Sequence, residues 1–193
     1  MRSSAKKVAI VGILAALSVI LMNIWHFPIM PPPFTKMFKL DFADIPALIA
    51  ASVVSPACGI FVVLIRNLVH LLRSDTLGIG ELSNFILGSV FSCFTGFFIR
   101  KCKEGFASIK TYKLITVMFF AIIVEIITAV LSNYFIVLPL YAKHMNFDVA
   151  AMGGMKEFIV SGVLPFNAIK AGINSIIFVT LYKALVPKIK QYL

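Results

Sequence analysis

One lysine lies in the middle of an apolar stretch that is long enough to cross a lipid bilayer. The stretch covers residues 160–185, and a helix rises about 1.5 Å per residue. Lys170 would then sit roughly 13–15 Å into the span, where a lysine costs about 2.5–3.5 kcal/mol on insertion scales. Asn167, Lys170 and Asn174 follow the i, i+3, i+7 pattern and therefore share one helical face. This polar stripe predicts a helix bundle that holds a polar small molecule in an internal cavity.

The composition places the chain among membrane proteins. Of its 193 residues 60% are hydrophobic and 13% are charged, whereas a soluble domain has about 25% charged residues. The net charge of +10 could indicate nucleic-acid binding, but the basic residues flank apolar spans. That distribution is typical of the positive-inside rule, so no nucleic-acid partner is expected. We predict an all-α, polytopic membrane protein with a single domain of about six spans in the lipid bilayer.

The apolar segments define the predicted transmembrane helices. They cover roughly residues 8–26, 43–54, 56–72, 82–100, 114–138 and 160–185. The second and third are short and meet at Ser55-Pro56, so they form either two tilted helices or a re-entrant pair. Pro139 and Pro187 are expected to end the last two spans. The Pro-rich segment of residues 26–40 is predicted to be an ordered loop that closes over the cavity.

The distribution of basic residues predicts the orientation. If the N-terminus is cytoplasmic, eleven Lys and Arg residues lie on the inner side and five on the outer side. Arg66 and Lys170 lie within the spans. The excess favours a multi-pass protein with both termini in the cytoplasm and a cavity that opens outward.

Other intramembrane polar residues are candidates for pairing or for ligand binding. Asp44 and Arg66 lie at similar depths and are predicted to form a structural ion pair between the two short helices. Glu125 either pairs with Lys170, which is the favoured interpretation, or carries a proton. Near it, Asn133 is expected to form a polar cluster with Asn167 and Lys170.

Glu81 and Asn84 lie one turn apart at the outer start of the fourth span and are predicted to face the same cavity. A helix–helix hydrogen bond is the alternative role for Asn84.

Small residues recur along the first span. Ala5, Ala9, Gly12 and Ala16 are spaced by four, three and four residues, which allows close approach of another helix. The face either packs within the bundle or docks a partner membrane protein, and the spacing alone supports both.

The chain lacks the motifs of common enzymes. It has no G-x-x-x-x-G-K-[ST] nucleotide loop, no H-E-x-x-H or G-x-S-x-G motif, and no metal-ligand spacing. A membrane-embedded lipid phosphotransferase would need an acidic metal cluster, which the sequence does not offer. We therefore predict that the protein is not an enzyme, has no metal or cofactor, and does not hydrolyse ATP itself.

Five motifs in order along the chain resemble one family of membrane proteins. They are KLDFADIPALIA, IRNLVHLL, GELSNFILG, NYFIVLPLYA and GVLPFNAIKAG, between residues 39 and 172. Together with six short spans, they resemble the substrate-binding S components of energy-coupling factor (ECF) vitamin transporters, and within that family the riboflavin-specific members. Arg66 stands where the family pattern has a lysine, and Gly12 departs from the family's Ala-x-x-x-Ala.

The resemblance implies riboflavin uptake across a bacterial plasma membrane. The S component binds the vitamin outside, and a transmembrane coupling protein with two cytosolic ATPase subunits drives release inside. Riboflavin is then the transported substrate rather than a cofactor. The family pattern assigns substrate contacts to Asn133, Asn167 and Lys170, and less directly to Glu81, and it assigns docking to the small face of the first span. Leu40 is a further candidate, for the apolar wall or lid of the cavity.

The main alternative is an S component for folate, biotin or thiamine. A cationic vitamin such as thiamine fits poorly with a site centred on Lys170, and the motif set does not favour folate. A purely structural small-residue helix protein would have no need of a lysine at the midplane.

Overall fold

The computed structural model describes residues 2–32, 34–36, 38–102 and 104–192, and the described chain is a helix bundle. The prediction of an all-α fold is confirmed for the bundle as a whole. In this part of the chain the α-helices are α1 (Arg2–Ile24), α2 (Asp44–Val53), α3 (Pro56–Leu71), α4 (Ile79–Lys101), α5 (Thr111–Ser132), α6 (Leu138–Met145), α7 (Gly154–Phe158) and α8 (Leu164–Lys190). Short 3-10 turns cover Phe34–Lys36 and Ala150–Met152.

Four helical segments of the described chain are long and apolar enough to cross a membrane. These are α1 from Ala5 onward, α4, and the continuous helical stretches of residues 111–145 and 154–189. The helices α2 and α3 are shorter, with 10 and 16 residues, and meet at a turn that Ser55 caps by accepting the N–H of Cys58. Large apolar side chains such as Phe135 and Ile176 face outward, as expected for a surface in contact with lipid.

The short helix α2 forms the centre of the bundle. Each of its ten residues is buried, and it packs against α1, α3, α4 and α8. Two glycines allow this close packing. A Cβ added at Gly96 on α4 would lie 2.6 Å from the carbonyl oxygen of Ala51, and one at Gly59 would lie 2.6 Å from the Ala51 side chain. The backbones can approach because these positions carry no side chain.

Two π-helical segments interrupt the long helices, and each is followed by a proline. Residues Asn133–Val137 link α5 to α6, and Ile159–Val163 link α7 to α8. Pro139 and Pro165 follow at the start of the next helix. A proline has no N–H and its ring clashes with the carbonyl four residues earlier, so the wider π turn accommodates it. The prediction that Pro139 ends the helix is therefore wrong, and α8 also continues past Pro187 to Lys190.

The Pro-rich segment contains a small β-hairpin. Within the described residues, β1 (His26–Pro28) and β2 (Lys39–Asp41) pair antiparallel, with His26 opposite Asp41 and Phe27 opposite Leu40. These two strands are an exception to the all-α prediction. They allow the segment between α1 and α2 to satisfy its backbone hydrogen bonds without forming a helix.

We predict that Gly96→Ala lowers the stability of the bundle, because its new methyl group would collide with the Ala51 backbone. The expected loss is roughly 1–3 kcal/mol of unfolding free energy, seen as a lower thermal midpoint in detergent. Gly172→Ala is the matched control, since a Cβ there meets nothing within 4 Å. Equal midpoints for the two variants would contradict the proposed close approach.

Candidate functional site

A cavity of about 440 Å³ opens at the end of the bundle that carries the hairpin. This volume is within the usual range for small-molecule sites, roughly 300–1,000 Å³. The hairpin, the end of α1, the α3–α4 loop, the start of α4 and both π-helical regions enclose it. Residues on its wall include Asn23, His26, Phe38, Lys39, Asp41, His70, Glu81, Asn84, Leu87, Asn133, Leu138, Tyr141, Phe158, Phe166 and Asn167.

An aromatic cluster forms one wall of the cavity. The rings of Phe38 and Phe166 stack with centroids 4.8 Å apart and an interplanar angle of 28°. Phe158 lies 5.9 Å from Phe38, and Phe34 packs edge-on against Phe158. Gly162 leaves room for these rings, because a Cβ there would lie 2.8 Å from Phe34. The wall therefore presents flat apolar surface that suits a planar ligand.

Two buried asparagines border the cavity where the π-helical segments meet it. Asn133 begins the first π segment, and Asn167 follows the second by four residues. Each side chain donates Nδ2 to a carbonyl of its own helix, at 2.8 Å to Ala129 and 2.7 Å to Val163. The amide oxygen and the second N–H of each remain for an occupant of the cavity. The structure thus places Asn133 and Asn167, two members of the predicted polar cluster, on the wall of one cavity.

A chain of buried charges lies beside the cavity. Asp41 Oδ2 accepts a hydrogen bond from Lys170 Nζ at 2.8 Å, and Lys170 Nζ lies 3.9 Å from Asp44 Oδ2. Asp44 Oδ1 in turn pairs with Arg66 Nη2 at 2.5 Å. All four side chains are buried, and their charges alternate in sign. Opposite charges in contact offset the large penalty for removing each ion from water.

Lys170 does not border the cavity in this structure. Its carboxylate partner Asp41 does, so the lysine lies behind Asp41 as its counter-ion. Glu125 is also buried, but Lys170 pairs with Asp41 rather than with Glu125. The expected Glu125–Lys170 pair is therefore not formed among the described residues. Asp44 and Arg66, in contrast, are brought together between α2 and α3.

Glu81 and Asn84 both border the cavity, but the Glu81 carboxylate is already occupied. Its Oε1 lies 2.7 Å from His70 Nδ1, and its Oε2 accepts hydrogen bonds from Ser74 and Thr76 at 2.8 and 3.0 Å. Glu81 thus ties the α3–α4 loop to the start of α4 at the mouth of the cavity. In this structure the Glu81 carboxylate stabilises the mouth of the cavity, and it is not a free hydrogen-bond acceptor for a ligand.

Leu40 does not border the cavity. Successive residues of a strand face opposite sides, so Lys39 and Asp41 face the cavity while Leu40 is buried behind them. Leu40 lies opposite Phe27 in the hairpin.

The small residues of α1 face away from the bundle. Ala5, Ala9, Gly12 and Ala16 are exposed, and a Cβ at Gly12 would meet nothing within 4 Å. The opposite side of α1, with Val11, Leu14, Ala15 and Ser18, packs inward. This small-residue face, defined by those four exposed residues, is therefore not used for packing within the described chain.

Four residues were not predicted from the sequence: Asp41 as a charged partner, and Ser74, Thr76 and Tyr141 at the cavity mouth. A signal for Asp41 was present, because it is an acid three residues before Asp44, at the edge of a short apolar span in a chain with two intramembrane basic residues. Ser74 and Thr76 lie in a loop with positive φ angles at Leu77 and Gly78, which no hydropathy pattern reports, whereas Tyr141 lies on α6.

Comparison with known proteins identifies the family. The sequence profile of the ECF transporter, substrate-specific component, matches residues 6–182. The chain belongs to this family. It is thus a component of a transporter and not an enzyme, and its apolar helices are those of a multi-pass membrane protein.

Named relatives and a solved structure resemble this S component over nearly its full length. A riboflavin transporter RibU of Staphylococcus aureus is 37% identical over 188 residues, covering 96% of this chain and 93% of that protein. The riboflavin transporter FmnP of Bacillus subtilis is 29% identical, with 96% and 95% covered. A solved S component of a bacterial ECF transporter superposes with a TM-score of 0.74 at 34% identity, covering 97% of this chain and 99% of that one.

We predict that Arg66→Met destabilises this S component by roughly 3–5 kcal/mol, because it leaves Asp44 as a buried carboxylate without its nearest partner. The double variant Arg66→Met/Asp44→Asn should recover most of the loss, since it removes both charges. The thermal midpoint in detergent is the measurement, and Arg73→Met, at an exposed position, is the control. A double variant as unstable as the single one would contradict the pairing.

Proposed function

We propose that this S component binds riboflavin and delivers it across the bacterial plasma membrane. The observation that carries the proposal is a cavity with a stacked aromatic wall and two buried amides at its edge. The names of the relatives from Staphylococcus aureus and Bacillus subtilis, both riboflavin transporters, support the same substrate.

Riboflavin chemistry suits the cavity. Its isoalloxazine ring is flat and largely apolar, so it is suited to packing against Phe38 and Phe166. The pyrimidine edge of the ring alternates acceptors with a donor, and an asparagine amide offers the complementary pair. Asn133 and Asn167 are therefore assigned to that edge. The ribityl hydroxyls would reach the polar side of the cavity, near Asp41 and its counter-ion Lys170.

The orientation follows from charge. We place both termini in the cytoplasm and the cavity on the outer side, because Lys and Arg residues are concentrated at the opposite end of the bundle. In this arrangement six segments cross the bilayer: α1, α2, α3, α4, the helix of residues 111–145 and the helix of residues 154–189. The helices α2 and α3 are too short to span the bilayer alone, and the surrounding helices of the bundle complete the crossing at these places.

Transport requires partners, since the sequence contains no nucleotide-binding loop. Membership of the ECF family implies a transmembrane coupling protein and two ATPase subunits. The small-residue face of α1 is our candidate for the docking surface. It is exposed, and its lack of side-chain bulk allows another helix to approach closely.

The first test of the proposal is binding. The protein purified in detergent should quench riboflavin fluorescence on titration and should carry yellow flavin absorbance from the cell membrane. Asn133→Leu and Asn167→Leu should each weaken binding by roughly 1–3 kcal/mol, because polar groups of the bound ring would lose their partners.

Thr180→Leu, an exposed position on α8, is the control and should bind as tightly as the wild type. Failure of the wild type to bind riboflavin would refute the proposed substrate. Full affinity in both asparagine variants would refute the assigned contacts.

The second test separates binding from transport. Gly12→Leu and Ala16→Leu should retain riboflavin affinity in detergent, because the changed residues lie outside the cavity. The same variants should abolish riboflavin uptake in cells that supply the coupling protein and the ATPases, because leucine side chains would hold the helices apart.

Ile13→Leu, an exposed neighbour on the same helix, is the matched control and should transport normally. Uptake by both variants would place the docking surface elsewhere. A parallel loss of affinity would show instead that the face matters for folding.

A further inference from the structure

Asp41 is the one member of the buried charge chain that borders the cavity in the described part of the protein. It ends strand β2, where its register partner is His26, another residue of the cavity wall. Lys39, two residues earlier, faces the cavity from the same side of the strand. This end of the hairpin forms a polar corner, distinct from the aromatic wall.

The Asp41 carboxylate has acceptor capacity to spare. Its Oδ1 accepts the backbone N–H of Ala43 at 3.0 Å, and its Oδ2 accepts Lys170 Nζ at 2.8 Å. A carboxylate offers about four lone-pair positions, so roughly two remain after these bonds. The backbone of the residue is also fixed, because Asn174 donates to its carbonyl oxygen at 3.1 Å. Asp41 is therefore a rigidly held acceptor at the edge of the cavity.

The charge of Asp41 is compensated from behind. Lys170 neutralises it directly, and the Asp44–Arg66 pair completes a chain with two positive and two negative groups. A carboxylate that already has a counter-ion does not require a cation from the ligand. It is suited instead to uncharged donors, and hydroxyl groups are donors of this kind.

We propose that Asp41 is a specificity-determining residue that accepts hydrogen bonds from the hydroxyl groups of the ligand's polyol chain. The inference rests on the proposed riboflavin function and assigns the part of the ligand that this corner recognises. A site that provides a buried acceptor for a hydroxyl discriminates strongly against an analogue that lacks the hydroxyl. The polar corner would then select the chain, while the aromatic wall and the two asparagines hold the ring.

The experiment compares two flavins that share the ring. Riboflavin carries the ribityl chain, and lumiflavin has a methyl group in its place. Binding of each to the full-length protein in detergent is measured by quenching of flavin fluorescence. Asp41→Asn should weaken riboflavin binding about ten- to 100-fold, the range for a hydrogen bond to a charged group, and should change lumiflavin binding less than about twofold.

The control is Asp148→Asn. Asp148 also accepts backbone N–H groups, from Ala150 and Ala151, but is exposed and outside the cavity. Both flavins should bind this variant as they bind the wild type. Equal losses for the two flavins in Asp41→Asn, or no loss for riboflavin, would overturn the inference and leave the proposed function intact. A wild-type protein that binds neither flavin would refute the proposed function itself.

A second comparison separates direct contact from an effect through Lys170, and it serves also if Asp41→Asn alone does not fold. The double variant Lys170→Met/Asp41→Asn removes both charges of the pair, and it is compared with Lys170→Met. The double variant should bind riboflavin several-fold more weakly than the single one, with lumiflavin unchanged. Equal riboflavin affinities would show that Asp41 acts only by holding Lys170, and would overturn the inference.

Discussion

The buried chain of charges from Asp41 through Lys170 and Asp44 to Arg66 connects the parts of the protein that enclose the cavity. It joins the hairpin, α2, α3 and α8 in the apolar interior. The chain needs space as well as partners. A Cβ at Gly88 on α4 would lie 2.6 Å from Arg66 Nη2, so glycine at this position leaves room for the guanidinium beside Asp44. Because an unpaired ion in this environment is very unfavourable, the network fixes the position of each element that contributes to it.

The two π-helical segments give the cavity its polar edge. In a regular helix a proline at position 139 or 165 would clash with the preceding turn, and the wider turn removes that clash while the helix continues. Asn133 and Asn167 are placed at the cavity by these irregular turns, with one N–H of each amide bonded to its own helix. Pro139, which was expected to end a span, and Pro165 therefore help to build the site. The hairpin and its aromatic residues then cover it.

Much of the site could be predicted because polar residues are conspicuous in apolar spans. Asn133, Asn167, Glu81 and Asn84 all border the cavity, as their hydropathy context and the resemblance to S components suggested. The partners of the charged residues were harder to predict. Glu125 was the favoured partner of Lys170, and the structure pairs the lysine instead with Asp41, a residue 129 positions away at the end of a strand. Leu40 was also expected to form part of the apolar wall or lid, whereas strand alternation turns it away from the cavity.

The sequence by itself determined that this chain enters a membrane, that it is helical, and to which family it belongs. These properties depend on local hydropathy and on the order of the motifs, both of which are visible in the sequence itself. Tertiary structure alone decided that Asp41 faces the cavity while Lys170 lies behind it, and that the small face of α1 is exposed. It also decided that helices continue past Pro139 and Pro187. These outcomes depend on which groups meet in three dimensions, since a buried charge takes the partner that packing brings within reach, wherever that partner lies in the chain.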